Sequence, residues 1–455
     1  MSSPLAGVFR SKLVARYGTL IVLLLLCGYY SYATLNEQHP TDEGAARVLA
    51  GRIARENPGT PGVLIVARPG EDDRRYAAAL EEELKRSGAN ILGILTGEPI
   101  EVRRKLEALG AAGTRLQVIA THQYSAQGIL GEERLRTITS KHPSLVSAKV
   151  YKPESYRWPT FLKQQNLLLV FNQISVIAII AIGMTMVIIT TGIDLSVGSL
   201  IALAGIIVAW SIRELASGGQ SGIPALLGCA LLAILGCGLL GSFSGIMVTA
   251  FRIPSFIVTL SIMFMARGMA FIIADGPTPI GIEAESFRFL GSGTLLGIPN
   301  PVILMALLYL LAHLLMTRTV LGRYIYAVGG NPEASRLSGV PVKWVLVIVY
   351  TICGALAGLG GVVEASVHGV GVATSGEGYE LRIIAAVVVG GTSLAGGSGK
   401  IMGTLVGALI LGVIANGMRL TKVDSYKQMV VFGLLILAAV LIDQLKNRSS
   451  RTASS

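Results

Sequence analysis

The chain has 455 residues, 52% of them hydrophobic and only 14% charged, with a mean hydropathy of +0.63. That balance excludes an ordinary soluble domain and a disordered chain, both far more polar, and points to a polytopic membrane protein. The net charge of +11 calls for no nucleic-acid partner: residues 36–160 nearly balance, with 18 Lys/Arg against 16 Asp/Glu, and the excess lies in short loops of the kind that are basic on the cytoplasmic side of a membrane.

The first apolar run, Tyr17 to Leu35, follows Arg10, Lys12 and Arg16 and has no convincing cleavage site. It reads as an uncleaved anchor with a cytoplasmic N-terminus. The polar block behind it alternates helix and strand: a helix over 42–56, strand GVLIVA (62–67), helix EDDRRYAAALEEELKRS ending at Gly88, strand NILGIL, helix PIEVRRKLEAL ending at Gly110, and strand LQVIAT. This order predicts a small parallel sheet covered by helices in three layers. No G-x-G-x-x-G follows its first strand, so no dinucleotide site is expected.

Apolar segments then recur at 168–190, 196–213, 223–250, 254–274, 298–317, 343–363, 383–395, 401–417 and 428–444, which with the anchor makes about ten crossings. The 383–395 segment is short of the ~20 residues a spanning helix needs, so it is expected to be re-entrant or broken. Ten crossings from a cytoplasmic N-terminus also place inside the loop with Arg318, Arg323, Arg336 and Lys343 and the tail with Lys446, Arg448 and Arg451. The 36–160 block then falls outside. Cys27, Cys229, Cys237 and Cys353 all lie in apolar runs and read as packing residues rather than disulfide or metal partners.

Three stretches carry the candidate chemistry. GGTSLAGGSGK (390–400) has the look of a phosphate loop but fails the pattern: the first glycine would fall on Leu394, and Ile401 stands where a hydroxyl must follow Lys400. It reads instead as a tight turn between packed membrane helices. In TTGIDLSVGSLIALAG (190–205), Asp194 is a carboxylate between apolar runs. Such a group is expensive in a membrane and marks a solute path, although Asp194 or Ser196 can equally cap the next helix, and the two roles are compatible. TGIDLSVGS (191–199) and GGTSLAGGS (390–398) share Gly, Leu, Gly and Ser in register, a hint of an internal repeat, parallel or inverted. That pairing sets Thr392 and Ser393 beside Asp194, Ser196 and Ser199 as candidates for lining the path or capping helices. GGNPEASRLSGVP (329–341) predicts a short cytoplasmic helix, with Asn331 as its N-cap, Pro332 in the first position and Gly339 in the left-handed position behind it. Such a helix has the size to dock in a groove on a partner.

Taken together, GMTMVIITTGIDLSVGS, GRYIYAVGGNPEASRLSGV, GYELRIIAAVVVGGTSLAGGSGK and GTLVGALILGVIANGM closely resemble the permease subunits of bacterial ABC importers for ribose, xylose, galactose and similar monosaccharides. The resemblance covers about 160–445. It implies an α-helical polytopic protein of the inner membrane with about ten transmembrane helices, performing no catalysis and holding no cofactor or metal. Implied partners are cytoplasmic ATPase subunits, a periplasmic sugar-binding protein, a second permease subunit that is identical or a close paralogue, and membrane lipid. It also implies that 331–339, with Glu333, Ala334, Ser335 and Arg336, is the helix that couples to the ATPase.

The chain departs from that family at three places. Arg382 stands where an acidic residue usually follows GYEL, which makes Arg382 and Glu364 candidates for an outer gate or docking surface. Thr191 replaces a usual glycine. The 36–160 block is an inserted α/β domain, similar in architecture to one lobe of a periplasmic sugar-binding protein but lacking the cleft that two lobes form. The expected organisation is thus an N-terminal tail and first helix (1–35), the inserted periplasmic domain (36–160), the permease domain (161–445) and a cytoplasmic tail (446–455). Two other readings remain open: a membrane-bound sugar sensor built on 36–160, and an ion-driven secondary transporter. The second suffers from the scarcity of buried charge, with Asp194, Glu364 and Arg267 the plausible instances.

Overall fold

A computed structural model describes residues 12–127, 130–220 and 222–452, and the side chains of all of these except 12–16, 132 and 442–452. Arg10, and the side chains of Lys12, Arg16, Lys446, Arg448 and Arg451, on which the terminal orientation rests, lie outside the described residues. The chain divides into two compact units, one of residues 1–34 with 160–455 and one of Leu35–Pro159.

In chain order, α1 (Lys12–Ala33) precedes the second unit, which runs β1 (Leu35–Gln38), α2 (Glu43–Glu56), β2 (Gly62–Ala67), α3 (Glu71–Arg86), β3 (Asn90–Thr96), α4 (Pro99–Ala111), β4 (Val118–Thr121), α5 (Gln123–Gln127), α6 (Glu132–Thr139), β5 (Lys149–Tyr151) and β6 (Tyr156–Pro159). Strands β3, β2, β4 and β5 form a parallel sheet in that order. All six residues of β2 are buried because both faces are covered. On one face Ile65 and Val118 pack with Leu49 and Ile53 of α2 and Leu80 of α3, and on the other Leu64 and Ile119 pack with Leu106 of α4 and Ile138 of α6. The amphipathic spacing of each helix supplies one apolar face, so the unit has three layers. Beyond the elements expected from sequence it gains β5, α5, α6 and an antiparallel ribbon in which Leu35 to Gln38 pair with Pro159 to Tyr156.

The membrane unit continues with α7 (Gln164–Ile189), α8 (Val197–Leu215), α9 (Ile223–Ala250), α10 (Ser255–Ile273), α11 (Glu285–Ser292), α12 (Asn300–Arg318), α13 (Val320–Gly330), α14 (Pro332–Leu337), α15 (Val342–His368), α16 (Tyr379–Val389), α17 (Ile401–Leu420) and α18 (Ser425–Thr452). Among the described residues seven helices, α7 to α10, α12, α15 and α17, are long and apolar enough to cross a membrane, while Tyr17–Ala33 and Ser425–Leu441 are shorter apolar stretches. The 383–395 segment is not a full helix: α16 has 11 residues and ends in the Gly390–Lys400 turn.

Small residues set the helix spacing around α15. A side chain on Gly183 would overlap Cys353, one on Gly241 the backbone of Tyr350, one on Gly358 Cys237, and one on Gly361 Ile201. Close backbone approach of this kind holds helices together where lipid removes the hydrophobic drive.

Candidate functional site

The break between α7 and α8 is a polar turn whose carboxylate and hydroxyl are buried: Asp194 is 0% and Ser196 1% exposed. Asp194 Oδ1 accepts from the Ser196 amide at 2.9 Å and from its hydroxyl at 2.6 Å. The other oxygen is buried without a hydrogen-bond partner among the described residues, and the Cys353 thiol lies beside the carboxyl. The capping expected of Ser196 is not made; its hydroxyl is turned back to Asp194, and α8 begins without a side-chain cap. Neighbouring α10 completes the turn: Ser255 Oγ accepts the Ile193 amide at 3.2 Å and Thr259 Oγ1 accepts the Leu195 amide at 3.1 Å. Irregular backbone among membrane helices persists only when its polar groups are satisfied in this way. Thr191, in the place of a usual glycine, sits at φ +66°, a left-handed conformation that a β-branched residue enters with strain.

The Gly390–Lys400 turn answers the phosphate-loop question by its own hydrogen bonds. Five of its amides are engaged within the fold: Thr392 on Val387 O (3.2 Å), Ser393 on Ser398 O (3.1 Å), Ala395 on Ser393 Oγ (3.2 Å), Gly396 on Ser393 O (3.1 Å) and Gly397 on Ile189 O (2.9 Å). Donors engaged in this way are not free to cradle an anion. The last of these bonds joins the turn to the final residue of α7, just ahead of the stretch that the sequence compares with it. Thr185 and Thr404 hydroxyls add a second link at 2.7 Å. Thr392 is fully buried, with its hydroxyl lacking a partner among the described residues; Ser393 is 6% and Ser199 2% exposed.

Gly329 lies at the same junction. A Cβ there would strike Ile189 O and the Gly397 amide, and one on Gly396 would strike Thr191. Tyr326, one turn earlier on α13, donates to Gly399 O at 2.8 Å. Helix α14 follows two residues after Gly329. Asn331 Oδ1 accepts the Ala334 amide at 2.9 Å, Pro332 takes the first position, and Gly339 closes the helix at φ +84°. Ser335 is 7% exposed and returns its hydroxyl to Asn331 O, while Glu333, Ala334, Arg336 and Leu337 project outward. Glu333 and Arg336 pair with each other, and that hydrogen bond holds the Glu333 carboxyl below the ordinary carboxylate range.

Glu364 and Arg382 meet through a residue the sequence reading did not single out. Tyr379 lies beside the Glu364 carboxyl, and the Arg382 guanidinium lies over the Tyr379 ring at 5.8 Å and the Phe432 ring at 5.6 Å. The irregular segment before α16 is held by Arg267, whose guanidinium donates to Ala373 O and Ser375 O. Among the described residues no group of three or more His, Cys, Asp and Glu is placed to hold a metal.

Comparison with known proteins gives concordant matches. Residues 166–439 match the family described as the permease component of branched-chain amino acid transport systems. The chain is 46% identical over 291 residues to the ribose import permease protein RbsC of Escherichia coli K12, covering 63% of this chain and 88% of that protein. It is 42% identical over 290 residues to RbsC of Bacillus subtilis 168 (64% and 88%), and 39% identical over 296 residues to the L-arabinose transport system permease protein AraH of Escherichia coli K12 (64% and 86%). The family match begins after the α/β unit. No solved structure matches the chain.

Proposed function

This chain belongs to the family of permease components of branched-chain amino acid transport systems, and from that premise we propose that it is the membrane subunit of a binding-protein-dependent ABC importer for a monosaccharide such as ribose, allose or arabinose. It carries out no covalent chemistry. ATP is hydrolysed by separate cytoplasmic subunits, a periplasmic binding protein delivers the sugar, and a second permease copy or close paralogue completes the channel within the lipid of the inner membrane. The subunit crosses the membrane about ten times with both termini inside and the α/β unit outside. Asp194, Ser196, Ser199, Thr392 and Ser393 brace or line the path, and the Glu364–Tyr379–Arg382 group borders its outer end. The α/β unit acts as an accessory docking or gating element; being tethered, it meets its partner at high effective concentration.

The observation that carries this reading is the three-way backbone junction of Gly329, Ile189 and Gly397. It ties the segment leading into α14 to both polar turns, so a push on α14 reaches the path. Exposed ion pairs contribute little, so the fit of α14 into the ATPase groove rests on shape, with Glu333 and Arg336 at its rim. Ala334→Trp is therefore expected to leave membrane insertion intact while ATP hydrolysis no longer drives sugar uptake, as read by paired ATPase and uptake assays in proteoliposomes. Normal uptake by that variant removes α14 from the coupling role.

A further inference from the structure

The α/β unit holds a polar cluster that transport through the membrane helices leaves unused. From β2 the chain crosses to β3 on one side and then returns to β4 on the other, so the strand order reverses between β2 and β4. In open parallel sheets the loops leaving the carboxyl ends of two such strands diverge, and small ligands bind between them. The residues at this point are charged, aromatic and mutually oriented. Arg68 directly follows β2, Asp73 lies in the first turn of α3, and His122 and Tyr124 follow β4.

Asp73, only 7% exposed, stands at the centre: Oδ2 accepts from Arg68 Nε at 3.2 Å, and Oδ1 lies 3.1 Å from His122 Nε2. His122 is fully buried, and its Nδ1 accepts the Ser125 amide at 3.3 Å, which leaves the ring proton on Nε2, near the carboxylate but without a hydrogen bond among the described residues. Burial, the dominant influence, lowers the affinity of this imidazole for a second proton. Tyr124 is 49% exposed, with the Arg68 guanidinium 4.6 Å from its ring centre and the rings of His39 and His122 edge-on at 5.9 and 6.0 Å. The sheet core does not require this arrangement. A carboxylate and an imidazole withdrawn from water beside an apolar core cost desolvation that an apolar pair avoids.

We propose that Arg68, Asp73 and Tyr124, backed by His122, form a binding site for a neutral polyhydroxylated molecule of the monosaccharide class. The half-exposed planar guanidinium suits paired hydroxyls on adjacent carbons, the partly open tyrosine ring suits the C–H face of a sugar, and the buried Asp73 carboxylate holds the guanidinium in place for them. Charge balance selects against an anion: Arg68 and Asp73 cancel, His122 is neutral, and Glu71 and Asp72 occupy the first turn of α3, where an anion would otherwise be drawn. The sugar class rests on the proposed function, with the α/β unit as an additional sensing or loading point for the same kind of solute.

The test uses the full chain in lipid nanodiscs, titrated calorimetrically with D-ribose, D-allose, L-arabinose and inorganic phosphate, with hydrogen exchange followed in parallel. The expected result is saturable binding of one of the sugars, protection of residues 66–74 and 118–125, and affinity at least about tenfold weaker in each of Arg68→Ala and Tyr124→Ala. Both side chains are half exposed, so their truncation leaves the core intact, which unchanged exchange in β2 and β4 without sugar verifies. Affinity unchanged from the unmodified chain in both variants, protection confined to 183–200 and 390–400, binding of phosphate in preference to sugar, or no binding at all overturns the site. Sugar uptake by the assembled importer is read separately: uptake without binding at this cluster overturns the site alone, whereas absence of uptake with any sugar overturns the permease reading on which it rests.

Discussion

Gly329→Ala is expected to lower ATP-driven uptake about a hundredfold, whereas Gly330→Ala, one residue further on, leaves it within about twofold. The two glycines differ only in what surrounds them. A methyl group on Gly329 would overlap the carbonyl of Ile189 and the amide of Gly397, while one on Gly330 meets nothing within 4 Å. The obstructing atoms at Gly329 are backbone and are already hydrogen-bonded to one another at 2.9 Å, so they cannot rotate away as a side chain can. Forcing the junction open costs about 3 kcal/mol, the upper end of overpacking, and that corresponds to about two decades in rate. Because the junction packs the approach to α14 against the end of α7 and the Gly390–Lys400 turn, the loss falls on coupling. Complex assembly, followed by co-purification with the ATPase subunits, is expected to persist. Uptake near the unmodified level in the Gly329 variant contradicts the account of the junction.

The second large effect is expected at Asp194. Asp194→Leu removes the acceptor of both the Ser196 amide and the Ser196 hydroxyl, in a turn where neither has water to turn to. Each buried donor left unsatisfied costs about 1–3 kcal/mol, so uptake is expected to fall by more than about tenfold together with the thermal stability of the detergent-solubilised protein. Asp194→Asn retains the Oδ1 acceptor and is expected to keep uptake within about threefold. Equal loss of uptake in both variants at unchanged stability assigns the function to the charge rather than to the turn.

What was legible in sequence, and what was not, follows from the range of the interactions. Strand β2 is readable because GVLIVA is an unbroken apolar run between Gly and Pro signals, and α14 because Asn331, Pro332 and Gly339 each satisfy a local backbone requirement. Strand β5, with only Lys149, Val150 and Tyr151, is too short to show a period and exists because β4 offers an edge to pair with. The capping role of Ser196 is lost to a stronger local partner, the Asp194 carboxylate two residues away. The short 383–395 segment announced a broken helix, yet nothing in it signals that Arg267 on a different helix would satisfy the carbonyls at 373 and 375. The pairing of the two glycine-rich stretches was visible as a sequence repeat, but their contact through Gly329 is a tertiary fact. A glycine has the same local signature whether its Cα faces open space, as at Gly330, or another backbone.

The central claim is that this chain forms a sugar path driven by a separate ATPase, and the direct measurement is uptake of labelled ribose, allose and arabinose into proteoliposomes holding the chain with its ATPase subunits and binding protein. Saturable uptake of at least one of these sugars that requires ATP, the ATPase subunits and the binding protein together, and that persists after proton and sodium gradients are collapsed, is the predicted result. Uptake by the chain alone that vanishes with the gradients, or no uptake of any of the three sugars by the complete assembly, contradicts it.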